Sequence, residues 1–302
     1  NQKLVPLLAA AATGVLVGSA IVATRYALGQ IGPASIAFLR YVIGFLCLIG
    51  PALRAGGFRF ARRDLAPIAL LGIAQFAVLV GLLNYAVQFI PSARAALIFA
   101  TMPLIAMLLS VALGHERLSL LKTVSVLLTI LGVGLALGEG AVSAAAAQGE
   151  WIGNLAAFAS ALSGAVCSVL YRPYLRRYPT LPVSAFAMAA SVVFLAPLAL
   201  AEGMTAALPH LTTGVWLAIL FVGANSGIGY FLWLWSLKHL SPTEVTVFMA
   251  LSPVTAAGLG TLLLGESLSL LLVLGLACVG FGLWLSQRAA RPAALLQRPG
   301  TP

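Results

Sequence analysis

The chain has 302 residues, of which 61% are hydrophobic and only 8% charged, whereas a soluble domain carries about a quarter charged residues. That balance excludes a water-soluble globule and makes lipid the solvent for most of the surface. The formal charge of +10, from 17 Lys and Arg against 7 Asp and Glu, would suggest a nucleic-acid partner in a soluble protein, but its placement along the chain is topological and no nucleic-acid partner is expected.

A hydrocarbon core of about 30 Å takes about 20 apolar residues of helix to cross, and the chain offers such runs from end to end. The first, 4–24, follows Lys3. It is too long for the apolar core of a secretory signal, and Thr24-Arg25-Tyr26 is no small-residue cleavage site. The start at Asn1 rather than Met reads as the trimming of a few residues. The second run, 33–53, carries Arg40, and the third, 65–89, carries Gln75, Asn84 and Tyr85. Pro103 interrupts the fourth, 92–113, which the joint Gly114-His115-Glu116-Arg117 separates from the fifth, 118–138. The sixth and seventh cover 150–171 and 181–201, and the eighth, 213–237, holds Asn225, Ser226, Tyr230 and Trp233. Pro253 lies in the ninth, 243–264, and Gly265-Glu266-Ser267 leads into the tenth, 268–287. Cys47, Cys167 and Cys278 sit singly in apolar runs, with neither metal-site spacing nor an obvious disulfide partner, and read as small core residues. No cofactor is expected.

Positive charge collects on the cytoplasmic side. With the N-terminus inside, fourteen of the 17 basic residues fall in inner segments: Lys3, then Arg54, Arg59, Arg62 and Arg63, then Arg117 and Lys122, then Arg172, Arg176 and Arg177, then Lys238, and last Arg288, Arg291 and Arg298. The outer segments hold only Arg25 and Arg94. The expected topology is N-in and C-in, multi-pass, in a bacterial-type inner membrane.

The chain also repeats itself at a shift of about 150 residues. Ile90-Pro91-Ser92, Met102-Pro103, Gly114-His115-Glu116-Arg117-Leu118-Ser119 and Gly132-Val133-Gly134 recur in order. Their counterparts are Leu240-Ser241-Pro242-Thr243, Ser252-Pro253, Gly265-Glu266-Ser267-Leu268-Ser269 and Gly280-Phe281-Gly282. Each half has an odd number of spans, so the second enters from the opposite side. The fold class expected is therefore all-α integral membrane, with ten transmembrane helices as two inverted five-helix repeats around a central cavity. The first repeat covers 1–140, the second 141–288, and 289–302 is a cytoplasmic tail expected to be disordered. Inverted repeats suit alternating access, in which a site between the halves opens to one side and then the other.

Gly18-Ser19 through Arg25, Ala37-Phe38-Leu39-Arg40-Tyr41, the prolines of the fourth and ninth spans, and Gly-Glu-Ser-Leu-Ser with its weaker first-half copy carry a resemblance. Together they resemble the ten-helix EamA-type branch of the drug/metabolite transporter superfamily, and within it the bacterial aromatic amino acid exporters. The resemblance implies a basket-like carrier whose helices 1, 3, 4, 6, 8 and 9 surround a central cavity, with helices 5 and 10 peripheral.

Polar groups in hydrocarbon face protein or water, which makes Gln75, Asn84, Tyr85, Asn225, Ser226, Tyr230 and Trp233 the candidate substrate-binding residues. A lining of amides and rings suits an amphiphilic solute with one apolar end. Interfacial belts are the competing reading for the aromatic residues, and interhelical hydrogen bonding for Asn84 and Asn225. Pro103 and Pro253 read as hinges or as packing devices. Arg40 could neutralise a substrate carboxylate, but gating or structure is the preferred reading because the resemblance places an Arg there across varied substrates. Glu116 and Glu266, at mirrored joints, read as helix-end anchors, with a gate or dimer contact as the alternative. A role for Glu244, near the inner end of the ninth span, stays open.

Asp64 is the sole Asp and all six Glu lie at or near span ends. The mid-membrane carboxylate on which four-helix multidrug exchangers of the superfamily rely for proton coupling is missing, which favours facilitated diffusion. His115-Glu116 lacks the second His of a zinc protease, so no enzyme is expected. The function expected is export of small amphiphilic metabolites, aromatic or hydrophobic amino acids first, with efflux of cationic aromatic drugs as the alternative. The expected partners are a small-molecule substrate and membrane lipid, and the protein is expected to be a monomer or homodimer.

Overall fold

The computed structural model describes residues 4–113, 120–142, 149–239, 248 and 251–295. Among them every regular element is helical, as the unbroken apolar runs require, since a lone strand in lipid would leave its backbone groups unpaired. Seven helical stretches are long and apolar enough to cross a membrane, and three shorter apolar ones accompany them. In chain order, α1 is Leu4–Ala27, α2 Pro33–Arg54 and α3 Arg62–Phe89. Next, α4 is formed by two pieces, Ser92–Phe99 and Met102–Ala112, and α5 is Leu120–Val142. Then α6 is Glu150–Leu170, α7 Thr180–Ala201, α8 Thr213–His239, α9 Leu251–Leu264 and α10 Leu270–Leu295.

Two departures from the expected spans have local causes. The fourth span, read as one run carrying Pro103 as a hinge or packing device, stops at Phe99 and restarts at Met102, with Pro103 in the first turn of the second piece. A proline there has no N–H to give to the carbonyl four residues back, and the first turn is where that donor is not needed. At the other end, α10 continues to Leu295, past the expected span end at 287. Gln287-Arg288-Ala289-Ala290-Arg291 are all good helix formers.

The packing partners have a simple order. α1 packs on α8 and α9, while α6 packs on α3 and α4. α2 packs on α7 and α8, while α7 packs on α2 and α3, and α4 pairs with α9 and α5 with α10; α3 also touches α2 and α1. Among the most extensive of these contacts, moving every helix number on by five returns the same pairs, whereas the contacts of α3 with α1 and α2 have no counterpart of similar extent among the described residues. Glycines allow the closest crossings: a Cβ on Gly132 of α5 would meet the Gly275 carbonyl of α10 at 2.7 Å, and one on Gly275 would meet the Gly132 carbonyl at 2.6 Å.

Polar ties close both ends of the bundle. At the expected outer end, Glu202, just past α7, accepts from the backbone N–H of Ala34 (3.0 Å) and Ser35 (2.8 Å) and from the Ser35 hydroxyl. This carboxylate satisfies the otherwise unpaired first amides of α2. Nearby, Gln30 donates to the Thr212 hydroxyl and accepts from the Thr212 N–H. Glu266 does the same for α4, accepting from the Ser92 N–H and hydroxyl while pairing with Arg25 at 2.9 Å. Arg25 also donates to the Ile90 carbonyl, and Arg94 pairs with Glu150 at 2.8 Å. Glu266 is thus a helix-end anchor, whereas Glu116 and Glu244 lie outside the described residues.

At the opposite end Asp64 Oδ2 accepts from Arg177 (2.8 Å) and from the Tyr178 hydroxyl (2.6 Å), and the Tyr178 oxygen accepts from the Ala61 N–H. Asp64→Asn is expected to be mildly destabilising, because a pair whose cation is solvent-screened contributes little and half of Arg177 is exposed. A thermal melt in detergent micelles would read this as a shift of a few degrees, and an unchanged melting point would show the tie to be ornamental.

Candidate functional site

Four helices bring polar and aromatic groups together inside the bundle: α2 and α3 from the N-terminal part of the chain, α7 and α8 from the C-terminal part. Arg40 lies about 10 Å along α2 at 1.5 Å per residue, half-buried. Its Nε donates to Ser226 Oγ on α8 at 2.5 Å, and its guanidinium carbon lies 5.6 Å from the centre of the Tyr41 ring. One turn beyond Ser226, the Tyr230 hydroxyl lies 3.0 Å from Ser184 Oγ on α7. Phe76 of α3 joins the two tyrosines, its ring centre 5.1 Å from that of Tyr41 and 6.3 Å from that of Tyr230. Tyr171, just past α6, packs against the same cluster, and its hydroxyl has no hydrogen-bond partner among the described residues.

The α3 wall of this cluster is a wide turn. Residues Ile73–Val78 are π-helical, a geometry that frees carbonyls and recurs at functional sites. α6 supplies donors along one face: Ser163 to the Ala74 carbonyl (3.0 Å) and Ser160 to the Leu79 carbonyl (2.7 Å). Gln75 sits on this turn, half-buried.

The structure gathers some of the candidate residues and disperses others. Ser226, Tyr230 and Arg40 meet in the cluster, with Gln75 on the adjoining turn. Asn84 and Asn225 are buried and spend their amide N–H groups on helix packing: Asn84 donates to the Pro33 carbonyl of α2 at 3.0 Å, and Asn225 to the Leu16 carbonyl of α1 at 2.8 Å. Tyr85 is 40% exposed and meets Phe89 edge-on, near the end of α3. The side chain of Trp233 lies outside the described residues. Pro253 is the third residue of described α9, and Pro103 is the second residue of the second piece of α4. Sequence reasoning left out Tyr41, Phe76, Tyr171 and Ser184. The signal for Tyr41 was its place beside Arg40, but Ser184 carries none, a lone serine between Val183 and Ala185. The cluster therefore draws on α2 and α7 as well as on helices of the expected cavity wall.

A separate crevice of about 470 Å³ opens between α1, α8 and α9, lined by Ser19, Val22, Tyr26, Phe221, Leu259 and Leu263 among others. It lies to the side of the Arg40 cluster, and its apolar lining fits lipid chains better than a polar solute.

A profile of the EamA-like transporter family matches the chain twice, over residues 4–138 and 151–287. The chain belongs to the EamA-like transporter family. The chain is 30% identical over 263 residues to a "probable terminal-alkyne amino-acid exporter" of Streptantibioticus cattleyicolor, covering 84% of each chain. It is 29% identical over 292 residues to the uncharacterized inner membrane transporter YedA of Escherichia coli, covering 94% of this chain and 91% of that one. An uncharacterized transporter of Archaeoglobus fulgidus is 26% identical over 275 residues, 90% of this chain and 94% of that one. A protein of known crystal structure, 24% identical, superposes with a TM-score of 0.67 over 94% of this EamA-like chain and 97% of its own, a likeness of fold.

Proposed function

We propose that this EamA-like transporter is a carrier that exports small amphiphilic metabolites, aromatic or other hydrophobic amino acids first, by alternating access of two inverted five-helix halves. The observation that carries this reading is the cluster itself. Arg40, Tyr41 and Phe76 come from one half and Ser184, Ser226 and Tyr230 from the other, so a solute bound there would feel any movement of one half against the other.

The duplication is supported by the two family matches, one per half, and by packing pairs that survive a shift of five helices. On this reading the repeats are 1–140 and 141–288, the topology is N-in and C-in as the basic residues favour, and the setting is a bacterial-type inner membrane. The relative named as an amino-acid exporter supports the solute class. Transport needs no cofactor and no catalytic residue, and it proceeds as facilitated diffusion, because the carboxylates lie at span ends. Glu202, Glu266 and Asp64 are engaged there in helix caps and ion pairs. The rings of Tyr41, Phe76 and Tyr230 favour the second reading, efflux of cationic aromatic compounds, since aromatic faces attract cations.

Counterflow in proteoliposomes tests the proposal. Vesicles loaded with unlabelled phenylalanine or tryptophan are expected to accumulate the labelled amino acid transiently and with saturation. No uptake above empty vesicles would sink the amino-acid reading, and flux that never saturates would sink the carrier.

A further inference from the structure

We propose that Arg40 is the carboxylate anchor of this site, so that the carrier takes aromatic solutes bearing a carboxylate and rejects the corresponding decarboxylated amines. The inference rests on the transport reading above and narrows its substrate.

The first argument is charge balance. Among the described residues no carboxylate lies within ion-pair distance of Arg40. Glu266 pairs with Arg25, Glu150 with Arg94, and Asp64 with Arg177 and Arg63. An arginine held between helices within the membrane calls for a counter-charge, and a substrate that brings one gains the interaction on entry.

The second argument is geometry. The hydrogen bond that holds Arg40 uses Nε. Ser226 gives its own proton to the Val222 carbonyl at 2.9 Å, so it serves Arg40 as a neutral acceptor. Held through Nε and set against the Tyr41 ring, the guanidinium has both terminal nitrogens without a bond among the described residues, and these can form the two-pronged bond that matches a carboxylate. A side chain tied to the neighbouring helix is also not extended toward the headgroups, which answers the snorkelling alternative.

The third argument is the rest of the cluster. Phe76, Tyr41 and Tyr230 form an aromatic wall beside the cation, and the Tyr171 hydroxyl is a buried polar group without a partner among the described residues. An aromatic α-amino acid would place its carboxylate on Arg40, its ring on that wall, and its ammonium group toward tyrosine oxygens and ring faces. A cationic amine brings only the charge that Arg40 repels.

The test compares L-tryptophan with tryptamine, which lacks the carboxylate, in counterflow assays of the purified wild-type protein, Arg40→Gln and Arg40→Lys. Wild type is expected to favour tryptophan at least tenfold. Arg40→Gln is expected to raise the KM for tryptophan at least tenfold while tryptamine transport stays the same or rises, and Arg40→Lys should fall between. A merely structural arginine would lower both solutes in proportion. Wild-type protein that carries tryptophan and tryptamine equally would overturn the inference without any variant having to fold. A folded Arg40→Gln protein whose tryptophan KM stays within twofold of wild type would overturn it too, leaving the amino-acid carrier intact. Wild-type vesicles that exchange no aromatic amino acid would instead overturn the functional reading, and the anchor with it.

Discussion

Replacing Glu266 by Ala is expected to lower the melting temperature in detergent by about 6 °C, taking about 3 kcal/mol as the cost of breaking a buried pair and about 2 °C per kcal/mol for a chain of this size. One carboxylate performs two tasks. It accepts from the Ser92 N–H and hydroxyl at the start of α4, and it pairs with Arg25 at the end of α1. Its side chain is 7% exposed, so water does not replace the lost oxygens. Arg25 is 29% exposed and keeps its bond to the Ile90 carbonyl, which holds the cost at the low end of the range for a severed buried pair. Glu266→Gln keeps an acceptor for the Ser92 N–H and loses the charge facing Arg25, so it should fall between wild type and Ala. Because the two side chains share one interaction, the double variant Arg25→Gln/Glu266→Gln should cost less than the sum of its parts. A Glu266→Ala protein melting within a degree of wild type would show that the joint between α1, α4 and the α9–α10 connection bears no strain on unfolding.

That joint illustrates what could be read from the sequence and what could not. The Gly-Glu-Ser motif and its mirrored copy marked Glu266 as an anchor, because a glutamate at a helix junction has helix ends to satisfy. The helix start it caps lies 174 residues away, which local pattern cannot give. Span limits were more accessible: α1 ends three residues past the expected 24, and α7 begins one residue before the expected 181. Apolar length is a property of the run itself. The π turn at Ile73–Val78 contains no Gly or Pro to announce it, and serines of α6 satisfy its Ala74 carbonyl and the Leu79 carbonyl just after it. For Asn84 and Asn225 the cost of an unpaired amide in lipid required partners, and the structure supplies carbonyls of α2 and α1. The cluster around Arg40 was half-legible for a related reason. Its α2, α3 and α8 members carry rare polar or aromatic residues, whereas Ser184 of α7 matters only because the Tyr230 hydroxyl of α8 reaches it.

The second large effect is expected where α2 crosses α8. A Cβ on Gly227 would sit 2.5 Å from the Cys47 Cβ and 3.2 Å from the Gly44 carbonyl oxygen, and one on Gly223 would sit 2.6 Å from the Ile43 Cβ. These are rigid atoms near the backbone, so a rotamer change cannot relieve them and the helices must separate. Gly227→Ala is therefore expected to destabilise by about 2 kcal/mol, as overpacking of a tight interior does, and Gly227→Leu to abolish transport. The functional loss follows from position, because Ser226 is the next residue and its 2.5 Å bond to Arg40 spans the same crossing. Gly81→Ala is the control: nothing lies within 4 Å of the added Cβ, and alanine favours a helix interior over glycine by about 0.5–1 kcal/mol. The compensating pair Gly227→Ala/Cys47→Gly removes the Cβ and Sγ that the new methyl would meet at 2.5 and 3.4 Å, leaving the Gly44 carbonyl at 3.2 Å, so it should recover part of the melting temperature lost by Gly227→Ala alone. Melting and counterflow measured on the four proteins separate the possibilities. If Gly227→Leu retained both the wild-type melting point and saturable transport, the close approach of α2 and α8 would not be what holds Arg40 against Ser226.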